Sequence, residues 1–230
     1  MRSRPASGNL VADKLTRRSG DADMTNTAQT FAAASTNLQV IAKDAMDRTI
    51  ALVAILLLLP VLVIVAIAIR LESRGPVLFL QDRTGLNGKV FRIFKFRSMT
   101  VGAGLAQARR GDARITRVGA FLRKTSIDEL PQLLNVLLGH MSLVGPRPHA
   151  VAHDEFYAPQ ITNYMARYAV KPGMTGWAQV NNARGETETL NKMARRASLD
   201  LDYIRDWSLA LDLKILIVTP LALLTDKAAY

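Results

Sequence analysis

The chain has 230 residues, enough for one domain with a substantial core and too few for two large ones. It contains no cysteine and three histidines, which excludes disulfides and thiolate metal sites, argues against zinc and leaves oxygen-ligated magnesium open. Lysine and arginine number 30 against 19 acidic residues, a formal net charge of +11 that calls for an anionic partner: nucleic acid, a lipid headgroup or a phosphorylated substrate.

Residues 1–39 are rich in Ser, Thr, Ala, Asn and Arg and show no sustained periodicity, so disorder is expected there. From Ile50 to Ile69 the chain reads IALVAILLLLPVLVIVAIAI, 20 uncharged residues bounded by Arg48 and Arg70. That length suits a bilayer-crossing helix, and the run is too long and too far from the N-terminus to be a cleaved signal peptide. Residues 40–74 are therefore read as the membrane segment, with Lys43, Asp44, Asp47 and Arg48 as an interfacial lead-in. Pro60, in the middle, separates two readings: a kinked spanning helix, or a helix broken at the proline that returns to the face it entered. Arg48 before the run and Arg70 and Arg74 after it put positive charge at both ends, so the charge rule names no translocated end.

Residues 75–230 are read as the folded domain. Val77 to Gln81 and Val90 to Phe96 have the pattern of two strands, joined by a turn containing Gly85, Asn87 and Gly88. In the second strand Arg92, Lys95 and Arg97 are interleaved with apolar residues, which groups them for anions; a solvated strand face is the plainer alternative. Most of the charge excess lies between Arg70 and Lys124, Arg109 and Arg110 included. It follows the membrane run directly, which favours phospholipid or lipid phosphate over nucleic acid, each cation near an anionic surface contributing roughly 1 kcal/mol. No aromatic stacking platform for bases accompanies it, so a nucleic-acid partner is not expected.

The stretch from Thr125 to Pro148, TSIDELPQLLNVLLGHMSLVGPRP, carries the chemistry. Pro131 fits the first turn of a helix beginning near Asp128, and Gly139 can end it. Asp128 and Glu129 then sit at the positive end of the helix dipole, which favours their ionised forms by ~0.3–1 kcal/mol. Ordinary capping is the rival explanation, since Ser126 and Glu129 match a capping box. Against it stands Val144-Gly145-Pro146-Arg147-Pro148, where Pro146 and Pro148 hold the residues before them extended and present Arg147 on a stiff loop, suited to a bidentate grip on phosphate.

Beyond this, His153 to Tyr168 has helical spacing. Lys171 to Trp177 breaks it with one proline and two glycines: Gly173 and Gly176 allow close backbone approach to a ligand, Trp177 offers a flat ring, and Asn181, Asn182 and Arg184 add polar groups, although a plain loop explains them equally well. Ala197 to Trp207 reads as a helix. Leu209 to Leu224 is apolar but carries Asp212 and Lys214 and is interrupted by Pro220, which suits an interfacial or core helix better than a second span.

Five features in this order resemble the bacterial sugar transferases, the monotopic phosphoglycosyl transferases that begin glycan assembly on a polyprenyl phosphate: the proline-containing apolar helix, Phe91 to Met99, Arg123 to Pro131, Val144 to Pro148 and Lys171 to Asn181. The resemblance runs from about Lys43 to Tyr230 and suggests a compact, catalytic-domain-only form. It implies an α+β, mostly helical fold: a re-entrant membrane helix broken at Pro60, a short β-hairpin, and amphipathic interfacial helices around a catalytic core on the cytoplasmic face of the bacterial inner membrane. It implies transfer of a sugar 1-phosphate from a UDP-sugar to undecaprenyl phosphate, with UMP released, as the first membrane step of exopolysaccharide or other glycan assembly. By the same resemblance Asp128 attacks the sugar-bearing phosphorus to form an aspartyl phosphosugar, while Glu129, with Asp128, holds Mg2+. Lys95, Arg123 and Arg147 contact phosphate, and Pro146, Pro148, Gly176, Trp177 and Asn181 form a nucleotide-sugar or structural loop. The sequence Arg184-Gly185-Glu186-Thr187 resembles members that transfer glucose 1-phosphate. Asn182 stands where many relatives have glycine; if that position needs a positive φ, asparagine is the least costly replacement.

A different class, a non-catalytic membrane-anchored basic protein that binds anionic lipid or nucleic acid, fits the charge equally well and differs in predicting function that survives loss of Asp128. The sugar, the polymer served and the oligomeric state, a homo-oligomer included, are left open by the residues.

Overall fold

The uncharged run produces the longest element. In a computed structural model that describes residues 22–29, 31, 36–102, 112–185 and 189–225, helix α2 spans Asn37–Glu72, following a short helical segment, α1, at residues 22–29. Thr36 and Gln39 begin α2 with a capping box. Among the described residues α2 is the one helix long and apolar enough to cross a membrane. Leu52, Val53, Leu56, Leu57, Ile64 and Ile67 are exposed along its middle, as side chains facing lipid would be. The helical assignment runs unbroken through Pro60, so the interruption expected there is absent: the ring removes one backbone hydrogen bond and the helix accommodates it.

Both ends of α2 are held by the same folded body. Near its start, Lys43 Nζ donates to Asp212 Oδ2 at 2.6 Å and to the Val144 carbonyl at 3.2 Å, and Asp47 accepts from Ser142 Oγ at 2.6 Å. At its finish, Glu72 accepts from the Arg117 and Val118 amides, and Val65 and Ile69 pack with Phe96 and Leu122. The carboxylate of Glu72 thereby caps the helix α3, Arg117–Thr125.

The hairpin forms as expected, antiparallel, with β1 at Leu78–Thr84 and β2 at Val90–Phe96, Leu78 opposite Phe96 and Thr84 opposite Val90. Asn87 (φ 54°) and Gly88 (φ 74°) make the turn. β1 extends past the expected Gln81 because Asp82, Arg83 and Thr84, which carry no apolar alternation, still complete the ladder. Arg92, Lys95 and Arg97 are not grouped. Arg92 is exposed beside Asp82, Arg97 donates to the carbonyls of Ser73 and Arg74, and only Lys95 reaches the acid pair, since period-two geometry turns Arg92 to the opposite face.

After α3 comes a 3-10 turn at Ile127–Glu129, then α4 at Gln132–Leu137, closed near Gly139 (φ 78°). β3 (Ser142–Val144) pairs in parallel with β4 (Gly173–Thr175). Between them lie α5 (Val151–Tyr157) and a 3-10 helix at Tyr164–Ala169, so the expected helix over 153–168 is two pieces, parted before the left-handed Asn163 (φ 59°). α6 (Trp177–Val180), α7 (Leu190–Arg205) and α8 (Leu209–Thr225) complete an α+β, mostly helical fold. α7 begins earlier than expected because Thr189 caps it.

Ile93, Leu133, Met141, Val144, Ile204 and Ile215 centre the main core, to which α2 contributes Ala51. The N-terminal segment departs from expected disorder: residues 22–29 are helical, and the Phe31 ring lies 5.0 Å from that of Trp207, an apolar anchor that tethers a polar segment. Arg109, Arg110, Glu186 and Thr187 lie outside the described residues.

With both ends of α2 against one body, single cysteines introduced as Asn37→Cys and Arg74→Cys in this cysteine-free chain are expected to react with an impermeant thiol reagent from the same side of sealed vesicles. Labelling from opposite sides would establish a true span.

Candidate active site

Two backbone constraints build the site. Ser126 adopts a left-handed conformation (φ 58°) that ends α3 and turns the chain sharply into the 3-10 turn bearing Asp128 and Glu129. Ser126 does not cap this turn: its Oγ accepts from Arg184 Nη2 at 2.7 Å, and the Glu129 carboxylate points elsewhere. Capping therefore does not account for the acid pair.

The second constraint is the close approach of two loops. A Cβ at Gly173 would stand 2.1 Å from the Gly145 nitrogen, and one at Gly176 would stand 2.2 Å from the Gly145 oxygen. Gly145 N donates to the Thr175 carbonyl at 2.9 Å, and Gly173 N to that of Pro146 at 2.8 Å. Gly173 and Gly176, expected to admit a ligand, admit the arginine loop itself, backbone against backbone.

Thus braced, Arg147 meets Glu129 in a forked pair. Nη1 donates to Oε2 at 2.9 Å, Nη2 donates to Oε1, and Lys95 Nζ donates to Oε1 at 3.0 Å. Burial pushes the Glu129 carboxyl up, but Arg147 and Lys95 outweigh it and hold it well below the usual carboxylate range. Arg147 is shifted the other way, its positive form stabilised chiefly by Glu129. Asp128, 9% exposed, differs: burial and then the neighbouring Glu129 charge push it up to about 6, against the pull of Lys95, Arg123 and Arg147. The expected help of a helix dipole does not prevail, because the turn is one 3-10 turn long and desolvation is larger.

Arg123 lies in the last turn of α3, where its charge acts on Asp128 and its Nη1 is 3.5 Å from Ser98 Oγ. Pro146 and Pro148 present their carbonyls to Gly173 N and, at 3.2 Å, to Arg83 Nη1. Trp177 packs against the main core with Lys214 Nζ 5.7 Å from its ring centroid, and Asn181 Nδ2 donates back to the Trp177 carbonyl at 2.8 Å, so both shape the loop. Asn182 has φ 58°, the positive angle anticipated for it. Pro60 belongs to the apolar part of α2.

No local motif marks the residues that stand behind Arg147. Arg167, fully buried, donates through Nη2 to the Arg147 carbonyl at 2.8 Å and pairs with buried Asp200. His149 touches Arg167 and Tyr164, and the hydroxyls of Tyr164 and Tyr168 both donate to Asp154 Oδ1 at 2.8 Å. Burial and the Arg167 charge hold His149 well below its ordinary value, in its neutral form. Arg83 adds a further buried cation, lowered to about 10 by burial and by Arg147. Arg196 binds the carbonyls of Ala183 and Gly185, each at 2.8 Å, and so fixes the loop that carries Arg184.

Asp128 and Glu129 are the residues suited to a metal here. Among the described residues no cluster of three or more His, Cys, Asp or Glu side chains exists, so an all-protein cage is not built. Two neighbouring carboxylates suit a hard cation whose remaining ligands come from water and substrate phosphate, with Glu129 sharing its oxygens between the metal and its partners Arg147 and Lys95.

A buried aspartate beside a glutamate clamped by an arginine loop thus stands on a body that holds both ends of a long apolar helix, the build of a membrane-associated protein. The bacterial sugar transferase family matches residues 38–226, and the chain belongs to it. It is 53% identical over 191 residues to the UDP-glucose:undecaprenyl-phosphate glucose-1-phosphate transferase of Escherichia coli (strain K12), an alignment covering 82% of this chain and 41% of that protein. To the protein of the same name from Caulobacter vibrioides it is 54% identical over 191 residues, 82% of this chain and 72% of that one. To the exopolysaccharide production protein PSS of Rhizobium leguminosarum bv. phaseoli it is 46% identical over 200 residues, 84% of this chain and all of that protein.

The raised Asp128 value has a consequence for stability. A group whose folded pKa exceeds its unfolded value of 3.8 contributes stability at low pH that is lost as pH rises through about 6. Asp128→Asn is therefore expected to stabilise the fold at pH 7 by roughly 1–3 kcal/mol, an advantage that shrinks toward pH 4, read from thermal melts across pH. An unchanged or lower Tm at pH 7 would contradict the burial argument.

Proposed function

We propose that this chain transfers a sugar 1-phosphate from a UDP-sugar to undecaprenyl phosphate, through a covalent intermediate on Asp128. Glucose 1-phosphate is the group favoured by the relatives' names. The observation that carries the reading is a buried carboxylate, partly desolvated and able to ionise near neutral pH, set beside a second carboxylate already neutralised by Arg147 and Lys95.

The first step has an Asp128 Oδ attack the phosphorus that bears the sugar. The Asp–phosphorus bond forms, the bond to the bridging diphosphate oxygen breaks, and UMP departs with the electron pair. In the second step an oxygen of the lipid phosphate attacks the same phosphorus and the aspartyl bond breaks, returning the carboxylate and leaving a sugar diphosphate lipid. Both attackers are anions and need no base. The obstacle is repulsion between like charges, which fixed cations offset by acting where charge accumulates. Lys95 and Arg147, aligned by Glu129, and Arg123, beside Asp128, supply that positive field. Magnesium held by Glu129 and Asp128 would add Lewis-acid neutralisation of the diphosphate.

The exposed apolar middle of α2, with both of its end segments held by one body, supports a membrane-associated helix whose termini lie on the side of the site. UDP-sugars are cytoplasmic metabolites, so that side is the cytoplasmic face of the inner membrane. A non-catalytic basic anchor gives no reason for a raised aspartate beside a clamped glutamate.

Asp128→Asn is expected to lower UMP release by roughly a thousand-fold or more while the protein stays folded. In the wild type, kcat/KM is expected to fall as pH drops through about 6, because only the carboxylate attacks. Turnover that persists in the variant would remove Asp128 as nucleophile.

A further inference from the structure

A cavity of about 210 Å³ opens beside the acid pair, walled on one side by Leu216, Thr219, Ala222 and Leu223 of α8. Leu143, Met174 and Val180, from β3, β4 and α6, form the other wall. Among its polar wall groups, the hydroxyls of Thr175 and Thr219 pair at 2.8 Å and Gln179 Nε2 donates to the Met174 carbonyl at 3.1 Å, while Gln179 Oε1 is buried without a hydrogen-bond donor. What remains is mostly hydrocarbon, a poor host for water and for a nucleoside.

One end differs. Ser126, Glu129 and Arg184 meet there, and Glu129 leads directly to Asp128, Lys95 and Arg147. Elsewhere on α8, Leu213, Ile217 and Leu221 form a separate exposed stripe at i, i+4 and i+8, so the helix bounding the cavity is also apolar toward the outside.

We propose that this cavity receives the first isoprene units of the acceptor lipid, with its phosphate at the Glu129–Arg184 end and the rest of the chain passing along α8 into the bilayer. The proposal rests on the reaction proposed above. Chemical complementarity selects the occupant: Arg184 can meet an anionic head at the polar end, where Arg147 and Lys95 offset the charge of Glu129, an apolar tail suits the apolar walls, and the outer stripe of α8 continues the apolar path to lipid. Leu143, Leu216 and Ala222 thereby become determinants of acceptor specificity. Binding energy from a part of the lipid remote from the reacting phosphorus would orient its phosphate for the second step.

The test is Ala222→Phe in the full chain, which fills the cavity, with Leu190→Phe at the exposed start of α7 as control. With UDP-glucose and no acceptor, Ala222→Phe is expected to keep the single-turnover burst of UMP. With undecaprenyl phosphate, its KM is expected to rise about ten-fold or more, while geranyl phosphate, too short to follow α8, is affected less. Leu190→Phe is expected to match the wild type. An unchanged KM for undecaprenyl phosphate overturns the proposal, and so does loss of the burst, which assigns the cavity to the nucleotide sugar. As a measurement that needs no variant, a diazirine-bearing polyprenyl phosphate bound to the wild type is expected to label residues 216–223 or 174–180, and labelling confined elsewhere overturns the proposal. A wild type with neither burst nor turnover would reject the reaction itself, a distinct outcome.

Discussion

The forked pairing of Arg147 with Glu129 is the contact on which the rest of the site depends. It joins two loops that the chain separates by 18 residues, one entered through a left-handed serine and the other stiffened by two prolines. Removing either partner would leave a part-buried charge with fewer counter-charges, Lys95 alone for Glu129 or Asp128 alone for Arg147, so the two loops are committed to each other. Because Glu129 takes both Arg147 and Lys95, it remains charged and structural. Asp128 is left to bear the cost of burial, which is why one of two adjacent acids is lowered and the other raised. Environments that push neighbouring titratable groups apart suit them to different roles, in the proposed reaction nucleophile for Asp128 and cation-bearing scaffold for Glu129.

The same loop is fixed from behind and from the membrane side. Arg167 holds the Arg147 carbonyl, and the Val144 carbonyl, three residues earlier, accepts from Lys43 of α2 and from the Tyr203 hydroxyl at 3.1 Å. Asp212 of α8 closes that knot by taking Lys43 and the Tyr203 hydroxyl. The first turns of the apolar helix are thus part of the scaffold that aims the arginine, and anchoring and positioning the site are one construction.

What the sequence made legible was local. The hairpin, the stop at Gly139 and the proline-braced arginine each follow from a few adjacent residues whose conformational limits are strong, while the positive φ of Asn182 is suggested only by the glycine of its relatives. What escaped it was encoded across distance. Arg167 and Asp200 are 33 residues apart, and nothing in either neighbourhood marks them as partners. Gly173 and Gly176 were recognisable as sites of close approach, but which group approaches depends on the pairing of β3 with β4. The sign of the Asp128 shift also depends on tertiary burial, which outweighs the small dipole effect that helix position alone suggests. Pro60 suggests a break because a proline costs a hydrogen bond, yet a long helix tolerates that loss, and the body contacts each end of the continuous helix separately.

The account stands most directly on a covalent bond between Asp128 and phosphorus. Rapid quenching of the protein with UDP-glucose in the absence of lipid acceptor, followed by mass spectrometry of the peptide containing residues 125–131, is predicted to show a hexose phosphate on Asp128 that disappears when undecaprenyl phosphate is added. An unmodified peptide under conditions where UMP is released at the active-site concentration would contradict it.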